Sequence, residues 1–288
     1  MSRSFLFVPA DSERKLAKAR TCGADALILD LEDSVDEANR PLARKTAAAF
    51  LGEGAEAALW VRINPLDTPD SLDDLRAVMP RAPQVIVLPK PAGPGDATKL
   101  AKLLDVFEQE HGTVSGTTRI LPIATERPAA LFAMHGYAGA TPRLAGLTWG
   151  AEDLSAALGA SATRDETGAW LAPFALARSL TLLAAAAAGV PAVDTVYTDF
   201  RDAAGLAAYA SASRQLGFEG MLAIHPDQVA VINDTFVPSD EEVDRARRIV
   251  ELFEANPGAG TLGLDGEMLD RPHRLRAERL LEMAARVK

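Results

Sequence analysis

Cysteine is nearly absent. One residue, Cys22, stands in a chain of 288, so neither a disulfide framework nor a thiolate metal cluster is available. Its setting in an alanine- and leucine-rich helical pattern marks Cys22 as a small core residue rather than a nucleophile. Histidine is scarce as well, with four in all, and neither a zinc site nor a haem finds the His/Cys cluster it requires. An excess of positive charge is missing. Thirty Lys and Arg against 40 Asp and Glu leave a formal net charge of −10, which argues against a nucleic-acid partner while leaving room for a local basic pocket facing an anionic substrate. Long apolar runs are missing too. The opening MSRSFLFVPADSERK has too short an apolar run for a secretory signal, and TLLAAAAAGV at residues 181–190 is too short to cross a bilayer. The expectation is a cytoplasmic protein with no membrane partner. The chain has no G-x-S-x-G elbow, no P-loop and no glycine-rich first strand-to-helix turn.

What is present is alternation. Hydrophobic residues make up 48% of the chain, which suits a packed domain. Eight short apolar runs, at residues 4–8, 26–33, 58–64, 84–90, 119–126, 144–149, 191–197 and 218–226, read as strands. Helical patterns lie between several of them, at residues 12–23, 40–52, 69–79, 96–112 and from about 172. Eight strand–helix repeats match a (β/α)8 TIM barrel, for which about 250 residues is typical. A doubly wound sheet is the rival, but it needs no eighth strand and usually shows the glycine-rich turn absent here. The barrel is expected over residues 1–237 and a C-terminal helical extension over residues 238–288. In that extension a capped amphipathic helix at residues 239–256 leads into a glycine-rich loop at 257–272 and a last helix at 273–288. A tail helix outside the barrel wall must bury Leu275, Leu280, Leu281 and Met283 somewhere, and a neighbouring subunit is the natural place.

In a barrel the C-terminal strand ends converge on one face, where catalytic groups belong. The ends here are polar: Asp30, Glu32 and Asp33 after the second strand, Arg62 and Asn64 after the third, Lys90 after the fourth and Glu126 after the fifth. The sixth run stops at Gly150 and is followed at once by Glu152 and Asp153. Glu126 and Asp153 can share a hard divalent cation, because Mg²⁺ takes few protein carboxylates and leaves its other positions to water and substrate oxygens. The competing reading is that Glu152 and Asp153 merely charge the first turn of the next helix. Arg62 is either a fixed cation able to stabilise an oxyanion or a structural partner of a barrel-mouth acid. Lys90 reads as phosphate-contacting or salt-bridged, and His225 as a base or a helix-start hydrogen bonder. Asp30 and Glu32 count as catalytic candidates by their place at the rim.

Taken together and in order, FLFVPADSERKLAKA, ALILDLEDSV, VRIN, GAED, VDTVYTDFRD, IHPDQV and LDGEMLDRP resemble the citrate lyase β-subunit-like acyl-CoA lyases, a group that includes the malyl-CoA and citramalyl-CoA lyases. The resemblance spans nearly the whole chain. It implies a Mg²⁺-dependent TIM barrel (Mn²⁺ being the alternative ion) that cleaves or forms the carbon–carbon bond of 3-hydroxy-dicarboxyl-CoA thioesters. The partners would be an acyl-CoA and a keto acid, with coenzyme A as part of the substrate. It implies that Glu126 and Asp153 are the metal ligands and that Arg62 faces the thioester-enolate oxygen. Asp270 would be the acid/base lent by a neighbouring subunit's tail in a trimer or dimer of trimers, and Arg14 and Lys18 would be coenzyme A contacts. Two departures stand out: Met221 follows the last strand's glycine, where members often carry lysine, and the fifth strand reads IATERP where members often read I-E-T. Two rival activities accompany the lyase: a thioesterase or synthase on the same esters, and a non-catalytic coenzyme A-binding subunit of a larger complex.

Overall fold

The computed structural model describes residues 2–287. Apolar runs such as ALILD and VIVL, buried along their whole length, are what a parallel strand covered on both faces requires. Seven strands, β1 (Ser4–Pro9), β2 (Ala26–Asp30), β3 (Ala58–Arg62), β4 (Val85–Leu88), β5 (Arg119–Pro122), β6 (Val193–Asp194) and β7 (Gly220–Ala223), form one parallel sheet in the order β5-β4-β3-β2-β1-β7-β6. The predicted sixth strand is not laddered. Residues 144–148 instead touch both edges of the sheet through isolated parallel bridges, Ile120–Leu144 and Ile123–Thr148 beside β5 and Leu147–Ala192 beside β6. Gly146 permits a close approach here: a Cβ would sit 2.8 Å from the Pro191 carbonyl oxygen, which accepts the Leu147 N–H at 2.9 Å. The fold is thus an α/β fold with a curled seven-stranded parallel sheet, a coarser statement than the eight regular strands expected.

Side-chain parity along these strands sets up everything that follows. One face carries Phe5, Ala26, Ile28, Trp60, Val85, Val87, Leu121, Ile123, Val193 and Leu222, a single buried cluster. Since alternate residues share a face, Asp30 and Arg62 are the next positions of that same face on β2 and β3, and the register pairs them directly. The other face, with Leu27, Leu29, Val61, Ile86 and Leu88 fully buried, is the side left for the helices.

Helices run over Glu13–Ala19, Arg40–Glu53, Asp70–Val78, Pro94–Glu110 and Ala172–Ala188, close to the predicted spans, and also over Ala151–Leu158, Ala203–Leu216 and Asp227–Thr235. Cys22 is not a core residue. The first helix ends at Ala19, and Cys22 sits half-buried in the turn that follows, before Gly23 in the left-handed region at φ 77°. No helix among the described residues is long and apolar enough to cross a membrane.

The chain divides into two compact units, one ending at Ile232 and the other beginning at Asn233. In the second, Ser239 and Glu242 form the expected reciprocal cap on the helix Asp240–Ala255. The predicted glycine-rich loop is in fact an antiparallel hairpin, β8 (Thr261–Leu264) and β9 (Glu267–Asp270). Its turn is Asp265-Gly266, both with positive φ (53° and 83°), which is the dipeptide a tight two-residue hairpin prefers. The last helix is Arg271–Val287, with Lys288 outside the described residues. Leu269, Ala246, Ile249, Phe253 and Ala277 make this unit's core, and Leu280 and Leu281 pack partly against it. Part of the apolar face expected to seek a neighbouring subunit is therefore covered within the unit, while Leu275 stays exposed.

Candidate active site

Arg62 is the centre of the polar rim. Its Nε and Nη2 donate to the two oxygens of Asp30 at 2.7 Å each, the fork-to-carboxylate geometry that holds a guanidinium most firmly. Asp30 also accepts from the backbone N–H groups of Glu32 (3.0 Å) and Ser34 (3.2 Å). Arg62 Nη1 lies 3.1 Å from Glu32 Oε2, inside ion-pair range but without hydrogen-bond geometry. The guanidinium stacks over Phe7, 4.7 Å from the ring centre. Burial works against the charge of Arg62, but Asp30, Glu32 and Glu126 outweigh it and raise its pKa, so it is a permanent buried cation. Burial pushes the Glu32 carboxyl up to about 7 even though Arg62 and Lys90 pull it down.

Lys90 is salt-bridged, one of its two predicted readings. Its ammonium donates to Glu32 and to both oxygens of Asp33 (2.9 and 2.8 Å) and lies 3.3 Å from Asp153. Its backbone N–H donates to Glu126 Oε2. Burial lowers its basicity, but its hydrogen bonds to Asp33 and Glu32 and the charges of Glu32 and Asp153 raise it overall. Asp33, one of the polar strand ends to which the sequence alone assigned no role, lines a cavity with Arg62, Glu126 and Asp153; the LED run after β2 is the signal that marks it.

Glu126 and Asp153 line one cavity of about 340 Å³ with Asp30, Asp33, Arg62 and Glu152. Glu126 is buried, and its carboxyl is raised well above the ordinary range by burial first and by the charge of Asp153 next. Gly150 makes this approach feasible: a Cβ there would stand 2.9 Å from Glu126 Cγ. Thr125 ties the two segments together by accepting the Gly150 N–H at 3.2 Å. Glu152 is exposed and Asp153 half-buried, both in the first turn of the helix Ala151–Leu158, so the helix-start reading describes their position without excluding a ligand role for Asp153. No group of three His, Cys, Asp or Glu able to hold a metal occurs among the described residues. A pair of carboxylate oxygens still fits Mg²⁺, which needs no more from a protein, and the mutual repulsion recorded in the raised Glu126 carboxyl is what a cation between the two would relieve.

A second cavity, of about 480 Å³, is lined by Arg14, Lys15, Lys18, Ile224 and His225, and shares Phe7, Pro9 and Ile224 with the first. Arg14 and Lys18 make no ion pair among the described residues. His225 stacks on Phe200 with ring centres 4.7 Å apart, and its Nδ1 accepts the Asp227 N–H at 3.2 Å at a helix start. Met221 is fully buried in β7. Asp270 lies in the second unit at the end of β9, half-buried, its Oδ1 2.5 Å from His273 Nδ1, a contact that holds its carboxyl below the usual range. Sequence reasoning passed over Asp194, fully buried and accepting from Trp149 Nε1 (2.7 Å), Arg178 Nη2 (2.6 Å), Tyr209 (3.1 Å) and Ser213 (2.6 Å). It anchors the indole that walls the first cavity beside Gly150. A lone acid inside the apolar run PAVDTVY is its signature, since a buried charge requires such partners.

Residues 3–226 match the family described as HpcH/HpaI aldolase/citrate lyase. The citrate lyase subunit beta of Leuconostoc mesenteroides subsp. cremoris is 32% identical over 99% of this chain and 93% of its own length. A (3S)-malyl-CoA thioesterase of Cereibacter sphaeroides is 32% identical over 98% of this chain and 94% of its own. The crystal structure of CitE from Mycobacterium tuberculosis in complex with magnesium, acetoacetate and coenzyme A superposes with a TM-score of 0.81 at 32% identity, covering 99% of this chain and 98% of that one. The chain therefore belongs to the HpcH/HpaI aldolase/citrate lyase family and is an enzyme, a lyase.

Proposed function

We propose that the protein is a Mg²⁺-dependent acyl-CoA lyase that cleaves, or in reverse forms, the carbon–carbon bond of a 3-hydroxy-dicarboxyl-CoA thioester of the malyl-CoA or citramalyl-CoA kind. The observation that carries this reading is one cavity holding a carboxylate pair, Glu126 and Asp153, beside the buried cation Arg62. The sheet is read as an eight-membered (β/α)8 barrel closed by the bridged segment 144–148, occupying residues 1–237 of a cytoplasmic homotrimer. Glu126 and Asp153 would hold a divalent cation, which would supply Lewis acidity to the acid portion of the substrate. The protein's own residues do the rest. Arg62, aimed by Asp30 and kept charged, faces the thioester oxygen, which gains negative charge as the carbon–carbon bond breaks and its electron pair passes into the enolate. Glu32 and Asp33 hold Lys90 and through it the rim. Asp270 of a neighbouring chain, held ionised beside His273, takes the hydroxyl proton released as the keto group forms and delivers it to the enolate carbon; in condensation it removes the proton from that carbon and returns it to the new hydroxyl. Arg14 and Lys18 take the coenzyme A phosphates in the adjoining basic cavity.

A panel of hydroxyacyl-CoA thioesters assayed with Mg²⁺ tests this reading. The expected products are a keto acid and a shorter acyl-CoA. Free coenzyme A with intact hydroxy acid would establish the second reading, a thioesterase, which the 32% identity to the Cereibacter sphaeroides enzyme favours. No turnover by the purified chain would leave only a coenzyme A-binding subunit. Arg14 and Lys18 are four residues apart on one helical face and make no ion pair among the described residues, so reversing both charges is expected to raise KM for the thioester about tenfold or more with kcat little changed. An unchanged KM would make them a solvated surface.

A further inference from the structure

Lys90 has a backbone that its residue type resists. Its φ is 47°, in the left-handed region, and only Ala82 and Asp265 share that feature among the described non-glycine residues. It also stands between Pro89 and Pro91, and a following proline ring narrows the backbone further. Ala82 caps a short 3-10 turn and Asp265 starts a hairpin. Lys90 does neither. It follows β4 by two residues, and what its conformation achieves is contact: the N–H turned onto Glu126 and the ammonium turned onto Glu32, Asp33 and Asp153. Strain of this kind persists where the surroundings over-determine it, and it clusters at functional sites.

We propose that Lys90 is a positioning residue for the metal-binding pair: its left-handed backbone fixes Glu126 through the N–H while its side chain holds Asp153, so that one strained residue sets the separation of the two carboxylates. The inference rests on Glu126 and Asp153 being the metal ligands. Removing the ammonium alone is ambiguous, because it abolishes both a tether and a positive charge that repels a cation. The test therefore compares variants that all lack it. Lys90→Gly and Lys90→Asn accept the left-handed backbone, whereas Lys90→Ala and Lys90→Val resist it increasingly. Mg²⁺ affinity is measured by titration calorimetry on the folded protein, with no substrate, alongside Glu126→Gln. The expected order is Gly and Asn tightest, Ala weaker, Val weakest by about tenfold, because resistance to the conformation lowers the fraction of molecules with the pair in place. Ala is the milder variant should Val fail to fold. If the Gly, Asn and Ala variants bind alike while melting temperature alone follows the strain, the fold bears it and the inference is overturned. If Glu126→Gln binds Mg²⁺ as the wild type does, the ligand assignment has failed instead.

Discussion

The Glu126→Gln enzyme is expected to lose Mg²⁺-dependent turnover while keeping its fold, and without metal to melt no lower than the wild type. The two halves of this result have one cause. Glu126 is a buried carboxylate whose pKa is raised by burial and by Asp153, so in the absence of a cation its ionised form is a burden on the folded state. A group whose folded pKa lies above its unfolded value contributes stability below the unfolded value, here the ordinary 4.5, and loses it as pH rises through the folded value. The metal-free wild type should accordingly fall behind Glu126→Gln as pH rises from about 4.5 upward. Gln occupies nearly the same volume and its carbonyl can accept the Lys90 N–H that Glu126 accepts now, so the packing of Ile123 and Gly150 around it is retained. Added Mg²⁺ should reverse the order, stabilising the wild type by mass action and the variant little. Loss of a metal contact is worth 10–100-fold even for outer partners, so affinity in the variant should fall by at least about 100-fold. Because the metal competes with the proton, wild-type affinity should also rise with pH. Calorimetric titration at several pH values, with thermal melts in chelator and in Mg²⁺, checks all of this. Normal metal affinity in Glu126→Gln would end the assignment, and an inactive Glu152→Gln would show that the exposed neighbour of Asp153 is the ligand.

Mixing two inactive variants is expected to restore activity. If Asp270 of one chain completes the site of the next, an Asp270→Asn chain keeps an intact Glu126 and a Glu126→Gln chain keeps an intact tail. In randomly co-assembled rings each site draws its rim from one chain and its acid from a neighbour. A half of the rims and a half of the tails are intact in an equal mixture, so about a quarter of wild-type activity should return. Asn is the substitution of choice because Asp270 precedes the helix Arg271–Val287 and accepts the His273 N–H, and Asn caps a helix start about as well as Asp, where Ala would cost about 1 kcal/mol. The readout is specific activity of co-refolded mixtures against separately refolded controls, with the oligomer measured by light scattering. Mixtures that stay inactive although folded and oligomeric would confine Asp270 to capping its own helix.

Much of this site was legible before any coordinate. Alternating apolar runs and helical patterns were enough for an α/β sheet with polar strand ends, since a period of two and a period of 3.6 are local properties of the chain. The parity that continues Ala26 and Ile28 into Asp30, and Trp60 into Arg62, follows from the same local rule. The motifs carried the family, and Asp265-Gly266 held a hairpin signal that the surrounding glycines obscured. What the chain's order cannot express is which groups far apart in sequence meet. Whether Arg62 is paired, whether Lys90 faces phosphate or acids, and whether Glu126 is buried against Gly150 depend on distances between strands. The same holds for the sixth segment, which meets β5 and β6 through isolated bridges, with the Pro191 carbonyl passing Gly146 closely to accept the Leu147 N–H. Strand ends therefore announce the chemistry available at the rim, because residue type is local. Tertiary packing decides which of those groups are neutralised, desolvated or strained, because electrostatic energy depends on separation and burial.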